Sequence, residues 1–135
     1  MGQLQLLIVD DSTLMRDIIK ETVEEAFPEV HTSVANNGDE AQKMLSHKHF
    51  DLVLCDWEMP ALKGNELLKW LREGSSQQAV PFIMITAKGE KDYILEVMKL
   101  GVTDYIVKPF SPELLCQKVK TVLKTKGWNE PLSAE

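Results

Sequence analysis

The stretch Asp51-Leu52-Val53-Leu54-Cys55-Asp56-Trp57-Glu58-Met59-Pro60 constrains this chain more than any other. Leu, Val, Leu and Cys in succession, with no polar interruption, suit a strand covered on both faces. Asp56 stands where that strand should stop, and Pro60 cannot donate to a sheet ladder. Strands covered on both faces belong to parallel sheets flanked by helices, where chemistry gathers just outside the carboxyl ends of the strands. Asp56 is thus placed where an acid can work.

The rest of the chain supplies matching pieces. Leu4 to Val9 reads as a first strand, ending in Asp10-Asp11. Ser12 can cap a helix in which Met15, Ile18, Ile19, Thr22, Val23 and Ala26 recur at helical spacing, and Pro28 ends it. Val30 to Val34 reads as a second strand. Asn36-Asn37-Gly38-Asp39 is turn chemistry before a helix with Ala41, Met44 and Leu45 inward. Lys63-Gly64-Asn65 leads into a third helix carrying Leu67, Leu68 and Leu71. Pro81 to Ile85 is a fourth strand ending in Thr86, and Lys88-Gly89-Glu90 opens a helix with Ile94, Val97 and Met98 inward. Tyr105 to Val107 is a fifth strand ending in Lys108-Pro109. Ser111-Pro112-Glu113 starts a last helix with Leu115, Val119, Val122 and Leu123 as its stripe. Five strands alternating with five helices argue for an α/β sheet with helices on both faces. Right-handed crossovers then bring every strand tip to one edge.

At that edge the residues are Asp10, Asp11, Asp56, Thr86 and Lys108, each at the end of an otherwise apolar run. Three carboxylates in one place repel one another and raise each other's pKa unless a cation joins them. Hard oxygen ligands with room for water favour Mg2+. A metal, an ammonium from Lys108 and a hydroxyl from Thr86 around one carboxylate would stabilise a phosphoryl in flight, and Asp56 is the carboxylate left to accept it.

The remaining composition narrows the class. A length of 135 residues, 44% hydrophobic, fits one domain, residues 1–126, with 127–135 read as a frayed tail or the start of a linker. A formal net charge of −6 and no basic patch speak against direct nucleic-acid binding. No apolar run is long enough to span a bilayer and the amino end lacks a signal-peptide pattern, so a cytoplasmic chain is expected, with Cys55 and Cys116 as reduced thiols. His31, His47 and His49 have no metal-like spacing and read as solvated surface. Trp57 and Trp70 read as partly exposed packing residues.

Asp10-Asp11-Ser12, Asp56 with Met59-Pro60 and Gly64, Thr86-Ala87, and Tyr105-Ile106-Val107-Lys108-Pro109-Phe110 together resemble the CheY-like receiver domains of two-component response regulators. The resemblance runs from about Leu4 to Lys126. It implies a flavodoxin-like (βα)5 fold with strand order 2-1-3-4-5. It implies Asp56 as the phosphoacceptor, with Asp11, Asp56 and the backbone carbonyl of Glu58 on Mg2+ (or Mn2+), and Asp10 holding metal-bound water. Thr86, the Ala87 backbone and Lys108 would contact the phosphoryl. Thr86 and Tyr105 would form the switch, and the Lys108-Pro109 bond would be cis. A histidine kinase or phosphotransfer protein is the implied donor. The implied output surface is helix four, strand five and helix five, with an unidentified target or downstream domain. Such a chain modifies itself and turns over no metabolite.

Glu58 and Lys88 depart from the chemotaxis member of that family, which carries Asn and Glu there. The two are expected to pair across the mouth of the site and shield it from water. Other classes predict other residues. A phosphatase passing through an aspartyl phosphate typically shows Asp-x-Asp-x-Thr, and here the run is Asp56-Trp57-Glu58-Met59-Pro60. A flavin-binding flavodoxin needs a phosphate-cradling loop after strand one, where Asp10-Asp11 would repel a phosphate. A docking scaffold that is never phosphorylated would not need the complete acid set.

Overall fold

The computed structural model describes residues 3–130. In chain order the elements are β1 (Gln5–Val9), α1 (Thr13–Ala26), β2 (His31–Ala35), α2 (Gly38–His47), β3 (Leu52–Asp56), α3 (Gly64–Gly74), β4 (Phe82–Thr86), α4 (Lys91–Lys99), β5 (Asp104–Val107) and α5 (Pro112–Thr125). The strands form one parallel sheet in the order β2-β1-β3-β4-β5. Among the described residues, no helix is long and apolar enough to cross a membrane.

The two central strands explain the uninterrupted apolar runs. Every residue of β3 and of β4 is buried. Successive side chains point to opposite faces and feed two cores. Leu7, Val53, Cys55, Phe82 and Met84 join Leu45, Leu67, Leu68 and Leu71 on one side. Leu6, Ile8, Leu54, Ile83 and Ile85 join Ile19, Val23, Leu115 and Val119 on the other. The register then sets the edge: Val9 lies beside Cys55, Asp56 beside Ile85, and Thr86 beside Val107.

Local chemistry starts the helices where the sequence places them. The Ser12 side chain accepts from Met15 N–H, that of Asn37 from Glu40 N–H, and that of Ser111 from Leu114 N–H. Glu66 reaches back to the Lys63 N–H at 2.9 Å. Gly101, at φ 90, takes the left-handed conformation after α4.

Several expectations give way to tertiary contacts. α4 begins at Lys91, not at Lys88, and spans nine residues. It buries Val97 completely, while Met98, expected inside, is 59% exposed beside an exposed Leu95. A helix this short meets the sheet along one row, and Met98 falls off it. On α1 the buried row is Ile19 and Val23, continued by Phe27, so Ile18 is left exposed. Trp57 is buried rather than half-exposed: its backbone N–H continues the ladder to Ile85 O, and its ring meets Tyr93 edge-on. Part of the expected tail is packed too. Trp128 is buried, with its ring edge-on to Phe27 at 5.3 Å and its indole N–H donating to Glu29. The remainder of that stretch, 131–135, lies outside the described residues.

Candidate functional site

The carboxyl edge of the sheet gathers the strand tips. Asp10 follows β1 and is held to the neighbouring β2, since its N–H donates to Ala35 O at 3.2 Å. Its Oδ1 accepts the Ser12 N–H at 2.8 Å, while its Oδ2 is buried and has no hydrogen-bond partner. Asp11 is exposed beside it. Asp56, the last residue of β3, is buried. One oxygen from each of Asp10, Asp11 and Asp56 lies within 4.8 Å of the others.

Lys108 arrives from the end of β5. Its ammonium sits 3.1 Å from Asp56 Oδ1 and 3.9 Å from Asp10 Oδ2. Its backbone N–H donates to Thr86 O at 2.7 Å, which ties the tips of β4 and β5 together. The Lys108–Pro109 peptide bond is cis. Thr86 is buried, and its hydroxyl accepts the Lys88 N–H at 2.8 Å. Ala87 follows it into an exposed bend.

Charge in this cluster is unbalanced. Burial pushes the Asp56 carboxyl above its ordinary range; the neighbouring Lys108 pulls it back and Asp10 pushes it further up. Asp10 is raised for the same first reason, opposed by the Ser12 N–H and by Lys108, and pushed further by Asp11. Two cations, Lys108 and Arg16, stand near three carboxylates, and one buried carboxylate oxygen has no hydrogen-bond partner. A small, hard dication fits that donor set: it would engage the orphaned oxygen and cancel the excess negative charge.

Glu58 and Lys88 flank the acids from the two neighbouring loops. Lys88 Nζ lies 2.9 Å from Glu58 Oε1, and this bond raises the Lys88 pKa. The same ammonium sits 4.3 Å above the Tyr93 ring, and Tyr93 meets Trp57 edge-to-face at 5.6 Å. The expected pair is therefore formed, with an aromatic extension to α4 that no spacing in the sequence announces. Tyr105 is half-buried on β5, beside Met84 of β4, with the Lys118 ammonium 6.0 Å from its ring. The histidines are all exposed, and His49 Nε2 lies 3.0 Å from Asp51. Cys55 and Cys116 are free, and burial pushes both thiols up.

One side chain at the site has no signal in the sequence. Arg16 donates from Nη1 to the Asp10 carbonyl at 3.0 Å. Its place one turn into α1 could have suggested a reach back to the β1 tip, but arginine at such a position is ordinary.

The chain is similar to known proteins in sequence and in fold. The model for the response regulator receiver domain matches residues 6–120. The chemotaxis protein CheY1 of Helicobacter pylori is 40% identical over 123 residues, which cover 90% of this chain and 98% of that protein. The phosphate regulon transcriptional regulatory protein PhoB of Pseudomonas aeruginosa is 38% identical over 90% of this chain and 52% of its own length. Among solved structures, the receiver domain of the Francisella response regulator 1452 superposes with a TM-score of 0.84 at 32% identity, covering 92% of this chain and 99% of that one.

Proposed function

The chain belongs to the response regulator receiver domain family, CheY-like in kind, and from that premise we propose that it is a phosphorylation-gated switch with Asp56 as its acceptor. Receiver domains of this type are signalling switches rather than classical enzymes. The observation that carries the proposal is the convergence of Asp10, Asp11 and Asp56 within 4.8 Å, with the Lys108 ammonium 3.1 Å from Asp56.

In this reading Asp11, Asp56 and the backbone carbonyl of Glu58 would hold Mg2+ or Mn2+, and Asp10 would orient water beside them. When bound, the ion supplies positive charge against which the carboxylates and an incoming phosphoryl can approach. An Asp56 carboxylate oxygen attacks phosphorus. The bond from phosphorus to the donor breaks, and the leaving nitrogen of a kinase or phosphotransfer histidine keeps the electron pair. Lys108 balances the charge that spreads over the phosphoryl oxygens, and the Thr86 hydroxyl and Ala87 N–H donate to them. For hydrolysis, water attacks phosphorus, the bond to Asp56 breaks, and inorganic phosphate leaves an ionised carboxylate behind.

Thr86 links this chemistry to the surface. Its hydroxyl oxygen now holds the Lys88 N–H, so turning toward a phosphoryl group releases the start of the β4–α4 loop. Tyr105, one strand over, turns inward behind it and alters the α4-β5-α5 face that an output partner reads. Phosphorylation need favour that arrangement by only about a few kcal/mol to shift the population.

Mass spectrometry after treatment with acetyl phosphate and Mg2+ tests the reading. The wild type gains one phosphoryl, and Asp56→Ala gains none. Equal labelling of both proteins would overturn it. Multiple turnover on a panel of phosphomonoesters would favour a phosphatase instead.

A further inference from the structure

We propose that Arg16 is a positioning residue for the acid cluster, holding the peptide plane that joins Asp10 to Asp11. The inference rests on the reading that these acids serve a divalent cation. The hydrogen bond from Asp10 N–H to Ala35 O attaches that residue to the sheet, although β1 itself ends one residue earlier, at Val9. The Asp10 carbonyl lies beyond the end of β1 and takes a side-chain donor. Arg16 supplies it: Nη1 lies 3.0 Å from that oxygen, and Nη2 reaches Thr13 Oγ1 at 3.5 Å. Arg16 is itself set by α1, because its N–H donates to Ser12 O at 2.9 Å.

The geometry makes this contact more than a helix-start bond. The Asp10 carbonyl and the Asp11 N–H belong to one rigid amide. Asp10 Oδ1 is fixed by the Ser12 N–H, so the carboxylate of Asp10 is anchored on one side and its carbonyl on the other. Rotating the amide would swing the exposed side chain of Asp11 away from its partners in the cluster. Arg16 thereby sets the direction of the most loosely held acid of the three.

Charge and positioning predict opposite outcomes, which makes the inference testable. As a bare cation near the acids, Arg16 opposes a second cation, so its removal should tighten Mg2+ binding. As the clamp on the amide, its removal should weaken binding. The full chain is titrated with Mg2+ alone, followed by tryptophan fluorescence, since Trp57 adjoins Asp56. Arg16→Ala should need at least fivefold more Mg2+ for half-saturation. Arg16→Lys, which keeps the charge but loses the fork, should fall between it and the wild type. In metal-free protein the Asp11 backbone amide resonance should move in both variants. Binding by Arg16→Ala as tight as or tighter than wild type overturns the positioning role. If Arg16→Ala does not fold, wild-type affinity in Arg16→Lys with an unmoved Asp11 amide overturns it equally. A wild type that does not bind Mg2+ overturns the proposed function as well, so the two failures are distinguishable.

Discussion

Lys88 shows how one side chain can serve two neighbours. Its ammonium bonds Glu58 at 2.9 Å and stacks over Tyr93 at 4.3 Å. Glu58 is 51% exposed, so the pair contributes little to stability; the role we propose for it is to shield the acids from water. Exchanging Glu58→Asn together with Lys88→Glu should speed autodephosphorylation severalfold, followed as loss of the phosphorylated species by mass spectrometry. An unchanged rate constant would remove the shielding role. The two charges are legible in the sequence because they sit two residues past Asp56 and Thr86. Tyr93 is not, because its reach to Lys88 depends on where α4 starts, and that is decided by packing.

At the scale of elements, the close approach of α3 to the end of β3 holds Asp56 in place. Gly64 opens α3 and donates to Trp57 O at 3.0 Å. A Cβ there would sit 2.3 Å from the Asp56 carbonyl oxygen and 2.8 Å from Trp57 Cα, both backbone atoms that cannot step aside. Gly64→Ala should therefore cost about 1–3 kcal/mol, read as a lowered urea midpoint. It should also slow labelling of Asp56 by acetyl phosphate, because the acceptor's own peptide must shift. A neutral effect on both would mean that α3 moves aside without strain. The strands and their tips are readable from the sequence because a buried parallel strand is a bare apolar run with a sharp polar end. α4 is the least readable element. Its apolar residues satisfy a helical period, yet with Leu95 and Met98 exposed only Val97 is fully buried.

For the whole molecule, Trp128 ties the last helix back to the first. It lies past the stretch matched by the receiver family, residues 6–120, and its ring packs on Phe27 while the indole N–H bonds Glu29. Lys120 and Glu130 form an ion pair beside it. Trp128→Ala should destabilise the domain by about 3 kcal/mol, checked by urea unfolding, and leave Asp56 labelling unchanged at temperatures where the variant is folded. The contact joins the far end of α1 to the end of α5, at the amino edge of the sheet, so stability and phosphoryl chemistry should separate. The sequence by itself determined the alternation of strands and helices, the parallel sheet, and the residues that end each strand, because periodicity and strand-end polarity are local properties. Tertiary structure alone decided the distances among the acids, the direction of Arg16, the partners of Lys88 and the burial of Trp57 and Trp128. Those depend on register and helix placement, which bring together residues that no local spacing relates.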